Sequence, residues 1–180
     1  MKINKRNRLD SARVVDSPNF SDRLHEEISL LVIHNISLPP GEFGNHFVND
    51  FFTNQLDPTQ DPYFEEIHQM KVSSHLFIDR EGLVTQFVPF DKVAWHAGVS
   101  EFNGKDNCNE FSIGIELEGT DHIEYTSDQY SALIEVTKIL MQAYPEITID
   151  NIVGHKHIAP ARKTDPGDSF NWDFYKSSLS

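Results

Sequence analysis

Three histidines sit where short apolar runs stop, and a strand end is where chemistry can be mounted. His34 closes the run Ile28-Ser29-Leu30-Leu31-Val32-Ile33. His155 and His157 follow Ile152-Val153-Gly154, at the mouth of the loop GHKHIAPARKTDPG. Pro160 and Pro166 stiffen that loop, which carries Lys156, Arg162, Lys163 and Asp165. It is a basic pocket in an acidic protein. Side chains at strand ends, aimed into a loop-built cleft, are where open sheets place their sites. A catalytic zinc needs three N, O or S ligands and one open position. His34, His155 and Asp165 could supply them. Each histidine could equally satisfy a buried hydrogen bond. His155-x-His157 could also chelate from one face and leave Asp165 out.

Two further residues have the right chemistry nearby. Lys163 is one residue from Asp165, so in an extended segment both point the same way. A lysine there could stabilise an oxyanion, or be a solvated loop charge. Glu116 sits inside an apolar strand, where an acid is costly unless paired or facing a wet cleft. Gly114, on the same face, is expected to leave room for a substrate, and Glu116 is a candidate general acid/base. An outward polar strand face would explain Glu116 and Glu118 equally well. Other motifs fail. His25-Glu26-Glu27-Ile28-Ser29 lacks the second histidine of the zincin pattern, and the spacing from Gly98 to Lys105 is wrong for a phosphate loop. Cys108 has no activating neighbours in sequence and reads as an idle thiol.

The elements that must position these groups follow from periodicity. Residues 28–33 read as a buried strand, 72–78 and 83–88 as a hairpin turning at Asp79-Arg80-Glu81-Gly82. Residues 112–118 alternate strictly, with Ile113, Ile115 and Leu117 on one face. Residues 44–53 predict a short helix. Residues 127–144 predict the strongest one, with Thr126 and Gln129 as a capping box. Ile152–Gly154 is a short strand, and 172–179 a last helix. Residues 1–27 read as a loosely packed N-terminal arm. The expectation is a single α/β domain over 1–180, built on a mixed sheet. Fifteen Lys and Arg against 28 Asp and Glu give a net charge of −13. That excludes general attraction for nucleic acid or anionic lipid. No apolar run approaches the roughly 18 residues of a membrane span. The basic start MKINKRNRLD has no apolar stretch after it, so it does not read as a secretory signal, and a cytoplasmic setting is expected.

The chain resembles the zinc N-acetylmuramoyl-L-alanine amidases of the AmpD type, relatives of the peptidoglycan recognition proteins. The resemblance is carried by LVIHNISLPPGEF (31–43), VSSH (72–75), VPFDK (88–92), AWHAGVS (94–100), FSIGIELEGTD (111–121) and IAP with RKTDPG (158–160, 162–167). It runs in register from about residue 12 to 175. It implies a central mixed β-sheet flanked by helices and a Zn²⁺ site in a groove. It implies His34, His155 and Asp165 as ligands, choosing His155 over His157 because the ligand follows the glycine. Glu116 becomes the general acid/base and Lys163 the transition-state stabiliser. The implied reaction is hydrolysis of the amide between anhydro-N-acetylmuramic acid and L-alanine in cytoplasmic muropeptides, within peptidoglycan recycling.

Asn35, Lys71, Trp95 and His96 are expected to bind substrate, with His75 behind the ligands. The family has arginine where this chain has Lys71, and a basic residue near Asn107, at positions that hold stem-peptide carboxylates. Lys71 keeps the charge but loses the bidentate fork, and Asn107 keeps only a neutral donor. The partner expected is the anhydromuropeptide alone, with no nucleic acid or membrane, and the chain a monomer. Two rivals are a muropeptide-binding module, which would lack a ligand, and a cell-envelope amidase acting on polymeric wall.

Overall fold

The computed structural model describes residues 1–24 and 27–180. His25 and Glu26, which open the stretch weighed against the zincin pattern, lie outside the described residues. In chain order the strands are β1 (Arg13–Val14), β2 (Phe20–Asp22), β3 (Leu30–Ile36), β4 (Leu76–Ile78), β5 (Val84–Gln86), β6 (Lys92–Ala94), β7 (Glu101–Phe102), β8 (Lys105–Asp106), β9 (Ser112–Glu118) and β10 (Ile152–Gly154). The helices are α1 (Phe47–Phe52), α2 (Pro62–Ile67), α3 (Ser127–Ala143), α4 (His155–Ile158) and α5 (Trp172–Ser177). Six strands form one sheet in the order β1-β5-β4-β9-β3-β10. Only β4 and β5 pair antiparallel within it; the other neighbours are parallel. This is the expected mixed sheet.

Strand periodicity sorts the side chains. Leu31, Ile33, Ile113, Ile115 and Leu117 face α3, where Leu133, Val136 and Leu140 close one core. The other face begins as apolar as the first. Leu30 and Val32 pack with Cys108, Phe111 and Ile158. Two residues further along that same stripe stands His34. All seven residues of β9 are buried, although alternate ones are Ser112, Gly114, Glu116 and Glu118. The polar face is covered, not solvated. Cys108 is buried among apolar side chains, as expected of an idle thiol.

Helix α3 has the capping box read from the sequence: Thr126 accepts from the Gln129 amide and Gln129 accepts from the Thr126 amide. Gln129 then donates to the carbonyls of Glu118 and Ile78, tying the helix start to two strand ends. Helix α1 is shorter than the expected 44–53, because Asn45 accepts from the Phe47 amide and starts the first turn there. Helix α2 was not anticipated, although Asp61 caps it and Pro62 opens it. With α1 it encloses a second core of Val48, Phe51, Phe52, Phe64 and Ile67. Each large apolar side chain so buried contributes about 1.5–3 kcal/mol.

The N-terminal arm is built into the fold. β1 pairs with β5 and β2 with β6. Arg23 donates to the carbonyl oxygens of Ser112 (2.8 Å), Glu110 (2.8 Å), Phe90 (3.2 Å) and Asn109 (3.3 Å). Its guanidinium lies 3.2 Å from Nε2 of the fully buried His75. That Nε2 donates to the Lys92 carbonyl at 3.0 Å, and Nδ1 accepts from the Gly114 amide at 3.1 Å. Burial first, and the Arg23 charge second, hold His75 down to about 3.

His75 is therefore neutral in the fold, whereas an unfolded chain protonates it near its ordinary value of about 6.5. Its contribution is complete above that value and is lost as the pH falls toward 3. His75→Gln should flatten the pH dependence of unfolding free energy across that window by about one proton. Urea titrations at a series of pH values measure this; an unchanged slope would show that another group carries the acid sensitivity.

Candidate active site

The register of the sheet brings the candidate residues together. β3 and β9 are parallel and pair His34 with Glu116 directly. β10 lies on the other side of β3 and pairs Gly154 with Ile33, so His155 emerges beside His34 as the first residue of α4. The 159–167 loop then folds back. The Lys156 amide donates to the Asp165 carbonyl at 3.0 Å, and a Cβ on Gly154 would lie 2.6 Å from Cδ of Pro166. Gly154 is thus the close approach that lets Asp165 reach the strand ends.

Nδ1 of His34, Nδ1 of His155 and Oδ2 of Asp165 form a nearly equilateral triangle with edges of 3.0, 3.1 and 3.1 Å. These edges are a few tenths of an ångström below the roughly 3.3 Å between donors of a tetrahedral zinc with bonds near 2.0–2.1 Å. The proton inventory agrees. Nε2 of His155 lies 3.1 Å from the Ala97 carbonyl, which can only accept, so that nitrogen carries the hydrogen. Nδ1 of His155 therefore turns a lone pair toward the carboxylate. Lone pairs and a carboxylate converging in a buried site call for a cation, and two imidazoles with one carboxylate suit Zn²⁺.

Electrostatics separate the two acids. Burial pushes the Asp165 carboxyl up; hydrogens on the facing imidazoles would outweigh it and hold it below the usual carboxylate range, and with their lone pairs turned inward a cation must supply that pull. Glu116 goes the other way: burial, then the Asp165 charge, lifts it well above its ordinary value, with Lys163 opposing. Its Oε1 is 4.0 Å from His34 Nδ1, and its Oε2 is buried without a partner. Burial also holds His34 down, to about 4. Lys163 is exposed on the rim of the same cavity, whose volume is about 690 Å³.

The other candidates fall in different places. Asn35 lines the cavity and donates to Asp121 at 3.0 Å. Trp95 lines it half-buried, its amide donating to Ser73 Oγ. His157 is outside the donor triangle, and its Nδ1 accepts from the Gly154 amide at 2.9 Å. Lys71 is exposed between Met70 and Val72, which line the cavity where Lys71 does not. Asn107 is exposed with φ 57°, at the start of the turn before β9. Two expectations need correction. The room beside Gly114 is filled by the ring of His96, which also lines the cavity: a Cβ at Gly114 would lie 2.5 Å from that ring. Glu118 is no idle surface acid. It is buried and accepts from the amides of Gly44 (2.6 Å) and Arg80 (3.1 Å). Sequence reasoning missed the apolar wall from α1 and α2, where Phe51, Phe52, Tyr63 and Ile67 face the cavity.

The profile of the N-acetylmuramoyl-L-alanine amidase family matches residues 24–168. This chain belongs to that family. The amidase is 53% identical over 172 residues to the 1,6-anhydro-N-acetylmuramyl-L-alanine amidase AmpD of Haemophilus influenzae, covering 95% of this chain and 94% of that protein. A crystal structure of a selenomethionine AmpD derivative superposes with a TM-score of 0.97 at 50% identity, covering 100% of both chains. The Escherichia coli amidase AmiD, solved in complex with the substrate anhydro-N-acetylmuramic acid-L-Ala-D-gamma-Glu-L-Lys, matches with a TM-score of 0.61 at 30% identity. That alignment covers 84% of this chain and 57% of the other. The fold is that of the family, and the triad is a zinc site.

Metal analysis should find about one zinc per chain, as three ligands with one open position require. His34→Ala, His155→Ala and Asp165→Ala should each lose the metal and turnover, and His157→Ala should keep both. Zinc retained by His155→Ala but lost by His157→Ala would reverse the choice of histidine.

Proposed function

We propose that this amidase hydrolyses the amide between anhydro-N-acetylmuramic acid and L-alanine in muropeptides, and that it serves peptidoglycan recycling in the cytoplasm as one domain over 1–180. The observation that carries the reading is the convergence of the donor triangle, Glu116 and Lys163 in one cavity. The high identity to AmpD over nearly the whole length of both chains supports the substrate. Among the described residues no helix is long and apolar enough to cross a membrane. The complete triad speaks against a binding-only module, and the AmpD likeness favours soluble muropeptides over polymeric wall.

His34, His155 and Asp165 hold the ion. Zn²⁺ there would lower the pKa of a water toward about 7 and polarise the scissile carbonyl. Glu116 stands beside the triangle with an oxygen free to take a proton from the attacking water. It returns that proton to the leaving nitrogen of L-alanine, and a carboxyl raised by burial is a better donor for that step near neutrality. Lys163 lines the cavity and its charge reaches Glu116; there it stabilises the oxygen that becomes negative as the carbonyl is attacked. Asn35 and Trp95 contact substrate, the first through its amide and the second through its indole face. Lys71, placed beside the groove, gives at most a long-range charge to the stem peptide.

Neither Glu116 nor Lys163 is a ligand, so Glu116→Ala and Lys163→Ala should retain zinc. The loss should fall on kcat more than on KM. About 10²–10⁴-fold is expected for the acid/base and about 10²–10³-fold for the oxyanion partner. Steady-state kinetics on a purified anhydromuropeptide, with metal content checked for each variant, measure this. Glu118→Ala should instead lower the melting temperature, because two backbone amides lose their acceptor. A kcat unchanged in Glu116→Ala would remove the acid/base assignment.

A further inference from the structure

The two histidine ligands are steadied from behind by consecutive residues. Nε2 of His155 donates to the carbonyl of Ala97 at 3.1 Å. Nε2 of His34 lies 2.9 Å from Nδ1 of His96. His96 is on the side of His34 away from the donor triangle, so it stands behind a ligand and is not itself one. Its own Nε2 lies 3.1 Å from Ser112 Oγ. With that ring nitrogen protonated, Nδ1 of His96 is an acceptor. His34 then keeps its hydrogen on Nε2, donating it to His96 Nδ1, and turns the Nδ1 lone pair toward the metal position. The ring occupies the space that Gly114 leaves by having no Cβ.

The backbone of this dipeptide is itself gripped by one side chain. Oδ1 of Asn109 accepts from the His96 amide at 3.1 Å and from the Ala97 amide at 2.8 Å. Asn109 lies in the 3₁₀ turn Cys108–Phe111 that leads directly into β9, the strand of Glu116. Arg162 adds a third tie, donating to the carbonyls of Ala97 (2.8 Å) and Val99 (2.7 Å). The dipeptide therefore sits where the lead-in to β9, the His155 turn and the Asp165 loop meet.

We propose that His96–Ala97 is a single orienting clamp for both histidine ligands, and that Asn109 is the positioning residue that sets it. This rests on the zinc reading of the triad. Residues that hydrogen-bond the far nitrogen of a metal-bound histidine fix its tautomer and ring angle, and losing one typically costs about 10–100-fold in metal affinity. For His155 the partner is a backbone oxygen that substitution cannot delete, so its position is controlled through Asn109. For His34 the partner is a side chain that can be removed.

The test is zinc affinity of the full chain, measured by competition with a chromophoric chelator. It is combined with melting of the metal-free protein, imidazole nitrogen NMR of the zinc form, and KM at saturating zinc. His96→Ala and Asn109→Ala should each bind zinc about 10–100-fold more weakly, and Asn109→Ala, at a residue that does not line the cavity, should keep its KM. Asn109→Asp, which keeps an acceptor, should bind close to wild type. The wild-type spectrum should show His34 and His155 both carrying hydrogen on Nε2. If Asn109→Ala does not fold, Gly114→Ala, which crowds the His96 ring without touching Asn109, should show the same weakening. Wild-type zinc affinity in His96→Ala with a raised KM would overturn the clamp and make His96 a substrate contact. Weakening in Asn109→Asp equal to that in Asn109→Ala would remove Asn109 from the proposal. A wild-type protein that binds no zinc would instead defeat the underlying metal reading.

Discussion

The parallel pairing of β3 with β9 is the interaction on which the site depends. It sets His34 opposite Glu116. A slip of either strand by one residue would turn its side chain to the other face and put Ile33 or Asn35 in the place of His34, or Ile115 or Leu117 in the place of Glu116. The register is held because Ile33 and Ile115 belong to the core under α3 while their polar neighbours belong to the cavity. Two demands, one apolar and one polar, thus select the same alignment. β10 joins β3 in parallel as well, so His34 and Glu116, each two residues before the end of its strand, and His155, just past the end of β10, all lie toward the carboxyl ends of the strands.

Burial then differentiates groups that are chemically alike. Asp165 and Glu116 are both buried carboxylates near His34. Asp165 shares a cation position with two imidazoles, which favours its charged form; Glu116 has one oxygen without a partner and is pushed toward its protonated form. Pairs of acids driven apart in this way are the usual basis for assigning one as a fixed charge and the other as a proton carrier. The unpartnered oxygen is a cost to folding that a catalytic role explains.

Much of this was legible in the sequence, for physical reasons. β9 and α3 were read to within a residue because their periods of 2 and 3.6 are long and clean. His34 stood out because a buried apolar run stops at it, and the choice of His155 over His157 needed the family resemblance. β1 and β2 were not legible. They are two and three residues long, too short for alternation to show. α2 carried a readable start in Asp61-Pro62, but its six residues are too few for a helical stripe. The space beside Gly114 was read in the right place and given the wrong occupant, because sequence shows that a side chain is missing and not which ring fills the gap. Asn109 carried no signal. Its role lies in two amides 12 and 13 residues away in the chain.

The glycines around the site divide the molecule into parts that differ in how freely they can change over generations. A Cβ at Gly114, Gly154 or Gly167 would meet a ring or backbone at 2.5, 2.6 and 2.1 Å respectively. Those three places are closed to every other residue type unless their neighbours give way. Tyr63 and Met70, which line the cavity, are exposed. Lineages descending from such a chain would therefore diversify in which muropeptides they accept well before they altered the bond they cut.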